Sequence, residues 1–246
     1  MSTDRPVSVV TGAATGIGRA AARRLTEDGF FVYFVDIDDE GGLEAVGDST
    51  AAAFVRCDVT SEPDVASMIS RIEVDHDRVD VLVNTAGGFP ERRTMDDVTL
   101  AEWKDTIDLN LTSVFMVSRA MLGLIRNSTR GRIVNIGSLS GQVVGWSTSP
   151  PYAAAKAAVH SLTRVMAQEL APTGTTVNTI APSAVLTDRI RELRDEEELA
   201  RTASAVPLGR YQTPEEVAGW VAFLASEESA FMTGQTISVN GGRFMA

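Results

Sequence analysis

The sequence predicts an α/β fold in which a parallel sheet of about seven strands is covered by helices on both faces. Short apolar runs alternate with longer segments of helical periodicity along most of the 246 residues. The apolar runs are rich in β-branched residues and mostly continuous, as in strands that are buried on both faces. This alternation is typical of a doubly wound parallel sheet, whose ligand lies outside the carboxyl ends of the strands.

Seven segments have the length and composition of strands: 7–10, 31–35, 53–55, 79–83, 132–136, 176–180 and 236–239. Five longer segments have helical periodicity: about 18–29, 61–74, 101–127, 151–171 and 213–225. Because no linker-like or repetitive stretch separates these segments, we expect residues 1–246 to form a single domain. The charged stretch 183–211 should form one or two short helices. Since it follows the carboxyl end of a strand, we interpret it as a substrate lid.

Composition excludes several classes of function. The 22 basic and 33 acidic side chains give a net charge of −11, which disfavours binding to nucleic acid or to anionic membrane surfaces. Cys57 is the one cysteine, so an intrachain disulfide or a cysteine-based zinc site is not possible. The first residues lack the apolar region of a signal peptide, and no apolar run reaches about 18 residues. We therefore expect a cytoplasmic protein.

A glycine-rich turn follows the first strand and opens the first helix. Gly12, Gly16 and Gly18 stand in the order Gly-x-x-x-Gly-x-Gly, with Thr15 and Ile17 beside the second glycine. Glycines allow a backbone to approach a pyrophosphate, and a helix N-terminus offers N–H groups to it. A plain turn would also contain glycines. Combined with the strand ends below, however, the turn favours a Rossmann-type dinucleotide-binding domain.

An acidic residue, Asp36, ends the second strand. A carboxylate there can accept hydrogen bonds from both hydroxyls of an adenosine ribose and would repel a 2′-phosphate. The nearby positions where a basic residue could bind a 2′-phosphate hold Ala14, Thr15 and Ile37 instead. We therefore predict NAD as the cofactor and consider NADP less favoured.

Two further strand ends carry residues that could line an adenine or ribose. Asp58 and Val59 follow the third strand, and Asn84, Ala86 and Gly87 follow the fourth. Taken singly, Asp58 could instead be a helix cap and Asn84 a turn residue.

Tyr152 and Lys156 are four residues apart at the start of a predicted helix, so their side chains share a face. A nearby ammonium group favours the phenolate and should lower the pKa of the tyrosine towards neutrality. Such a tyrosine can donate or accept a proton at physiological pH, as general acid/base catalysis requires. The spacing alone is common on surfaces, so its weight depends on the neighbouring residues.

Two polar residues accompany this pair. Ser138 follows the fifth strand, and because no predicted helix begins for about twelve residues, we interpret its hydroxyl as a holder of a substrate oxygen rather than a helix cap. Asn110 interrupts an otherwise apolar helix, where a buried amide needs partners. It either braces the backbone or anchors a water molecule leading from Lys156.

A serine hydrolase is the competing interpretation. Gly137 and Gly141 have the separation found in a Gly-x-Ser-x-Gly nucleophile elbow, but the central residue is Leu139. Of the two histidines, His76 lies in a charged stretch, and His160, one turn beyond Lys156, could pack at an interface. Neither suits a catalytic triad, so the hydrolase interpretation fails.

These residues resemble, in order and spacing, the short-chain dehydrogenase/reductase family. The resemblance covers nearly the whole chain and rests on the glycine turn, the segment 84–87, Asn110, Ser138, the Tyr152-x-x-x-Lys156 pair and the tail 231–242. Two positions depart from the family pattern. Thr85 replaces an asparagine, and Ser183 stands where glycine is most common, close to where the nicotinamide and the substrate would lie.

The resemblance implies a mechanism without a metal. Tyr152 would exchange a proton with the substrate oxygen while hydride passes directly to or from the nicotinamide. Lys156 would lower the pKa of Tyr152 and hold the nicotinamide ribose. Ser138 would orient the substrate oxygen, and Asn110 would support a proton relay. Ser138, Tyr152 and Ser183 are thus the predicted substrate-binding residues.

Together, the strand ends and the resemblance give the predicted cofactor-binding residues: Gly12, Thr15, Gly16, Ile17, Gly18, Asp36, Ile37, Asp58, Val59, Asn84, Ala86, Gly87, Tyr152, Lys156, Pro182, Val185 and Thr187. The resemblance also implies a homotetramer built through helices 101–127 and 151–171. Phe89, Val143, Val144 and Trp146 suggest an apolar substrate pocket, or equally packing between subunits.

The sequence thus predicts an NAD-dependent oxidoreductase that interconverts a small-molecule secondary alcohol and a ketone. One alternative is a reductase of 3-oxoacyl thioesters on acyl carrier protein or CoA, against which Asp36 counts. An alternative from another class is a catalytically silent nucleotide-binding or scaffold protein. The intact set of Asn110, Ser138, Tyr152 and Lys156 disfavours it, because a pure binder would not need all four.

Overall fold

The computed structural model describes residues 5–88, 91, 93–143 and 149–245. Its sheet has seven parallel strands in the order β3-β2-β1-β4-β5-β6-β7. This order confirms the predicted doubly wound fold. Phe89, Val144 and Trp146 lie outside the described residues, so the apolar pocket that they suggested stays a prediction.

The strands are β1 (Val7–Thr11), β2 (Phe31–Asp36), β3 (Ala52–Arg56), β4 (Val81–Asn84), β5 (Arg132–Ile136), β6 (Thr176–Pro182) and β7 (Thr236–Val239). The helices are α1 (Gly16–Glu27), α2 (Asp39–Val46), α3 (Glu62–Asp75), α4 (Leu100–Ile107), α5 (Ser113–Arg126), α6 (Pro150–Leu170), α7 (Asp188–Leu193), α8 (Glu196–Ser204) and α9 (Pro214–Ala225).

Two apolar cores cover the two faces of the sheet. On one face α1 and α9 bury side chains such as Leu25 and Val221 against the strands. On the other face α3, α5 and α6 contribute residues such as Met68, Met121 and Met166. Because both faces are covered, the strands are continuously apolar, as their sequences had indicated.

The helix α2 was not predicted from the sequence. It begins after Asp38, whose side chain accepts a hydrogen bond from the Gly41 N–H. Its two glycines weaken the helical pattern, but Gly42 has a packing reason: a Cβ there would lie 2.0 Å from the Phe54 ring. Close helix–sheet packing therefore requires a residue that hides the helix from sequence analysis.

The predicted helix 101–127 is divided in the structure. A π-helical turn, Asp108–Thr112, separates α4 from α5. By length and composition alone, Leu100–Arg126 is also the one segment in the described ranges that could cross a membrane. This segment packs against β4, α3 and α6, as a core helix of a globular domain does.

The stretch 183–211 forms α7 and α8, in agreement with the prediction of one or two short helices. Its two ends meet beside the carboxyl end of β6. There the Leu186 N–H donates to the Gln212 carbonyl at 2.9 Å, and the Gln212 N–H donates to the Ala184 carbonyl at 2.9 Å. The excursion therefore leaves and rejoins the fold at the edge where a ligand would bind.

A buried carboxylate, Asp80, ties the opposite edge of the sheet together. It accepts hydrogen bonds from the Val7 N–H at 2.8 Å and from the Ser128 hydroxyl at 2.6 Å. Its side chain is 2 % exposed, and the Arg78 guanidinium lies 3.5 Å away. The contact fixes the amino end of β4 against β1.

Replacing Asp80 by alanine should lower the free energy of unfolding by about 3 kcal/mol, because it leaves the Val7 N–H and the Ser128 hydroxyl buried without this acceptor. Asp77→Ala, at an exposed carboxylate three residues earlier, is the matched control and should change it by less than about 0.5 kcal/mol. Urea denaturation of both variants measures the difference. Equal losses in the two variants would contradict the role given to Asp80.

Candidate active site

The carboxyl ends of β1, β4, β5 and β6 meet at one edge of the sheet, where the strand order reverses between β1 and β4. Most residues predicted to bind a cofactor or to take part in chemistry follow these strands. Asp36 and Asp58 extend the same edge past β2 and β3. A doubly wound sheet opens a crevice for its ligand at this point.

The glycine turn after β1 leaves no room for side chains at two of its glycines. A Cβ on Gly12 would lie 2.8 Å from the Ala86 Cα, and one on Gly18 would lie 1.9 Å from the Gly12 carbonyl oxygen. Gly12 also has a φ of +66°, which disfavours other residues. Thr15 occupies the N-cap position of α1 without capping it through its side chain. The first-turn N–H groups of α1, around Ile17, therefore suit an anionic group.

Asp36 connects the glycine turn to the end of β2. Its carboxylate accepts hydrogen bonds from the N–H groups of Ala14 (2.9 Å), Ile37 (2.8 Å) and Asp38 (3.1 Å). The side chain of Ile37 is 55 % exposed beside it. Arg56, at the end of the adjacent β3, faces Asp39 at 3.5 Å and Asp64 at 3.7 Å. Negative charge thus dominates this end of the crevice.

The strand end after β3 is closed by a local turn. The Asp58 carboxylate accepts hydrogen bonds from the Thr60 N–H (2.9 Å) and hydroxyl (2.7 Å). The cap of α3 is Ser61, so the alternative interpretation of Asp58 as a helix cap is not what the structure shows. Val59 beside it is buried.

Asn84 does not direct its side-chain amide towards the crevice, as the sequence had suggested. The amide nitrogen donates to the Ser118 hydroxyl at 3.0 Å and to the Asn135 carbonyl oxygen at 2.8 Å. Asn135 in turn donates to the Thr163 hydroxyl at 2.8 Å. Buried amides need partners, and this chain provides them by bracing β4, β5, α5 and α6. Any contact of Asn84 with a cofactor is left to its backbone.

The π-helical turn places Asn110 inside the fold, fully buried. Its amide nitrogen donates to the carbonyls of Gly88 (2.8 Å) and Thr106 (2.9 Å), while its oxygen accepts from the Gly88 N–H at 2.8 Å. Of the two roles considered, the structure shows the backbone brace. A Cβ on Gly87 would lie 2.7 Å from the Asn110 oxygen and 3.2 Å from Lys156 Nζ, so both side chains converge on Gly87.

Lys156 is buried on the face of α6 that packs against the sheet at β6. Its ammonium group donates to the Ile136 carbonyl at 2.9 Å and lies 5.7 Å from the centroid of the Tyr152 ring. Burial lowers the pKa of Lys156 to about 8, because desolvation disfavours the charged form. The sequence had indicated the shared face but not the backbone contact.

The Tyr152 hydroxyl is hydrogen-bonded to the side chain of Ser138. Burial raises the pKa of Tyr152 above its ordinary value, and the Ser138 hydrogen bond opposes that rise. The sequence had predicted a pKa lowered by Lys156. In this structure burial is the larger influence, because the ammonium group is directed to the Ile136 carbonyl.

Ser138 also caps a short helical turn, which the sequence analysis had excluded. Its side chain accepts a hydrogen bond from the Ser140 N–H at 3.1 Å, at the start of a 3₁₀ turn that spans Leu139–Gly141. A turn of three residues has no periodicity that a sequence could reveal. The hydroxyl nevertheless remains in contact with Tyr152.

His160 is buried inside the chain, in contact with the Ser138 loop, whereas the sequence had suggested packing at an interface. Its Nε2 atom accepts a hydrogen bond from the Ser138 N–H at 3.4 Å. The sequence analysis had noted that His160 lies one turn beyond Lys156, and the same spacing of four residues places Tyr152, Lys156 and His160 on one helix face, which the structure shows to be buried.

The residues after β6 fold back over the glycine turn. Pro182 and Val185 are buried, and Ser183 is half-buried beside them. Thr187 caps α7, and its methyl group would lie 3.1 Å from a Cβ on Gly16. The Arg19 guanidinium also binds the Asp188 carboxylate at 3.0 Å, which ties α1 to α7.

This arrangement fits a nicotinamide dinucleotide. A glycine turn that a Cβ would fill lies at one end of the crevice, with the Asp36 carboxylate hydrogen-bonded to it, and Tyr152 and Lys156 lie at the other end. In the described part of the chain no group of three His, Cys, Asp or Glu side chains could hold a metal ion.

Comparisons with known proteins agree with this geometry. A family model described as enoyl-(acyl carrier protein) reductase matches residues 12–243. The 3-oxoacyl-(acyl-carrier-protein) reductase of Vibrio cholerae is 39% identical over 248 residues and covers 100% of both chains. An actinorhodin polyketide ketoreductase solved with NADPH is 36% identical with a TM-score of 0.90, over 99% of both chains. The aldohexose dehydrogenase of Thermoplasma acidophilum is 31% identical with a TM-score of 0.88, over 97% of this chain and 94% of that one.

Because Lys156 is buried, the free energy of unfolding should vary with pH in the alkaline range. The folded protein releases this proton near pH 8, whereas the unfolded chain holds it until about 10.5. Between these values the unfolded state binds more protons, so the free energy of unfolding should rise with pH, by at most about 1.4 kcal/mol per unit.

Lys156→Met is the reference that lacks this group. Urea denaturation of both proteins between pH 7.5 and 10 should show wild type gaining stability relative to the variant. Parallel pH profiles for the two proteins would contradict a buried, destabilised ammonium group.

Proposed function

The chain belongs to the short-chain dehydrogenase/reductase family, and on that premise we propose that it is an NAD-dependent oxidoreductase that interconverts a secondary alcohol and a ketone. The observation that carries the proposal is the convergence of four side chains, Asn110, Ser138, Tyr152 and Lys156, at the edge of the crevice. A protein that only binds nucleotide would not need this set.

Tyr152 is the proposed general acid and base. In reduction its hydroxyl gives a proton to the carbonyl oxygen, and in oxidation its phenolate takes a proton from the alcohol. The Ser138 hydroxyl, in contact with Tyr152, holds the same substrate oxygen. The nicotinamide supplies or accepts the hydride when it is bound.

Lys156 and Asn110 support this proton transfer. A charged Lys156 beside the ring of Tyr152 favours the phenolate against the opposing effect of burial, and its ammonium can also hold the nicotinamide ribose. Asn110 fixes the Gly87–Gly88 backbone next to Lys156, from where a relay of protons can continue.

The proposed cofactor contacts follow the crevice from its adenosine end to its nicotinamide end. Gly12, Thr15, Gly16, Ile17 and Gly18 surround the pyrophosphate, and Asp36, Ile37, Asp58 and Val59 the adenosine. Ala86, Gly87 and the backbone of Asn84 line the middle, and Tyr152, Lys156, Pro182, Val185 and Thr187 surround the nicotinamide riboside.

The preference for NAD rests on charge. The Asp36 carboxylate stands where a 2′-phosphate would lie, and Asp38, Asp39 and Glu40 follow it. Two unit negative charges about 4 Å apart repel each other by about 4 kcal/mol near a protein surface. The related ketoreductase with NADPH argues for the other cofactor. The local charges of this chain outweigh that likeness.

The proposed substrate is a small molecule bound by Ser138, Tyr152 and Ser183 under a lid formed by residues 183–211. The lid assignment is supported by the joined ends of this excursion and by its ion pair to α1. A second candidate is reduction of 3-oxoacyl thioesters. The similarity to the Vibrio cholerae enzyme, which is a reductase of this kind, favours it.

We also propose a cytoplasmic homotetramer in which residues 1–246 act as a single domain. Phe115 on α5 and Val165 on α6 are 46 % and 50 % exposed. These helices are the surfaces through which the resemblance implies assembly, and burial of their apolar side chains would favour it.

Changing Tyr152 to Phe should lower kcat by about 10²- to 10⁴-fold, because it removes the proton donor and keeps the ring. Binding of NAD, measured by calorimetry, should change by less than about twofold. Tyr33→Phe, far from the crevice on β2, is the matched control and should retain activity. Full activity of the Tyr152 variant would exclude the proposed role.

Wild type should use NAD more efficiently than NADP by at least about tenfold in kcat/KM, across a panel of secondary alcohols and ketones that includes an acetoacetyl thioester. Asp36→Ser should reduce that ratio about tenfold or more. Asp48→Ser removes an equal charge from an exposed position outside the crevice and should leave the ratio unchanged. Equal or better turnover of wild type with NADP would refute the assignment.

A further inference from the structure

His160 is a buried histidine next to the active site to which the proposed mechanism gives no task. Its side chain is 5 % exposed and lies on the face of α6 that also carries Tyr152 and Lys156. This face packs against β6 and against the 3₁₀ turn that follows Ser138, and Lys156 and Thr163 on it are hydrogen-bonded to β5.

The imidazole fills the space on both sides of Ser138. A Cβ on Gly137 would lie 2.3 Å from His160 Nε2, and a Cβ on Gly141 would lie 2.8 Å from His160 Cε1. At Gly137 the ring and the Thr179 methyl group leave no room for a Cβ, and at Gly141 the ring and the α6 backbone at Lys156 and Ala157 leave none. Between them, the Ser138 N–H donates to Nε2 at 3.4 Å.

The ring can accept this hydrogen bond because it is neutral. Burial, together with the positive charges of Lys156 and Arg164, lowers the pKa of His160 to about 4. Gly137, Ser138 and Gly141, which lie against the ring from the segment after β5, carry no charge. Nε2 thus holds a lone pair towards Ser138 at physiological pH.

Ser138 needs such support because it follows the end of a strand and begins a loop. Its hydroxyl accepts from the Ser140 N–H and contacts Tyr152, but these contacts leave its backbone N–H to another partner. A shift of the loop by a fraction of an ångström would move the hydroxyl away from the substrate oxygen, and errors of this size are costly in catalysis.

We propose that His160 is a positioning residue: its Nε2 accepts the Ser138 N–H and thereby fixes the hydroxyl of Ser138 relative to Tyr152. The inference rests on the proposed function and adds a residue to the same site. His160 itself is not expected to touch substrate or cofactor.

Two substitutions separate the hydrogen bond from packing. His160→Leu introduces an apolar side chain of comparable size and removes the acceptor, while His160→Gln can place an amide oxygen near the position of Nε2. We expect the leucine variant to lose about 10- to 100-fold in kcat and to bind NAD within about twofold of wild type. The kcat of the glutamine variant should be at least about tenfold higher than that of the leucine variant.

Val159→Ala removes buried volume from the same helix without touching the acceptor, and its kcat should stay within about twofold of wild type. If His160→Leu does not fold, His160→Met takes its place. Equal losses in the leucine and glutamine variants, or an unchanged kcat in the leucine variant, would overturn the proposal.

A double-mutant cycle tests whether His160 acts through Ser138. In a Ser138→Ala background, which removes the hydroxyl being positioned, His160→Leu should lower kcat by less than about twofold. If His160→Leu lowers kcat by the same factor with and without the Ser138 hydroxyl, His160 has a merely structural role. If Tyr152→Phe abolishes activity while the His160 variants do not change it, this inference fails and the proposed function stands. If wild type has no nicotinamide-linked activity, the proposed function itself fails.

Discussion

The active site depends on one buried contact, the hydrogen bond from the Lys156 ammonium to the Ile136 carbonyl at the end of β5. It places a charge where solvation is poor, so the fold must supply the partners that water would have given. The same helix face continues this pattern, because His160 and Thr163 also receive hydrogen bonds from β5 and its following loop. These contacts fix helix α6 against the sheet, and they thereby fix the position of Tyr152 near its start.

The sequence revealed the fold well wherever burial produces periodicity. All seven strands were predicted, because strands covered on both faces must be continuously apolar. The failures lie where a local requirement hides the pattern. Helix α2 contains Gly42 because the Phe54 ring lies against it. The π-helical turn left the apolar periodicity of α4 and α5 almost intact, so Asn110, its one buried residue, was the only sign of it.

The candidate site was predicted as a set of residues but not as a set of contacts. The positions of Ser138, Tyr152 and Lys156 follow from spacing and strand ends, which sequence determines. The inward direction of the Asn84 amide and the task of His160 depend on partners far along the chain, such as Asn135 and Ser138. Neither could be derived without the packing of α6. The pKa of Tyr152 also depends on burial, which spacing does not reveal.

The central claim is that Lys156 makes Tyr152 a proton donor and acceptor near physiological pH once the cofactor is bound. The chain has three tyrosines, and burial together with Asp75 raises the pKa of Tyr33 far out of range. Subtracting the tyrosinate absorbance of Tyr152→Phe from that of wild type, both titrated with saturating NAD, removes the contribution of Tyr211 and so measures Tyr152 directly. The account predicts half-ionisation below the ordinary pKa of 10.0, and above it in Lys156→Met. A wild-type midpoint that stays above 10.0 with NAD bound would contradict it.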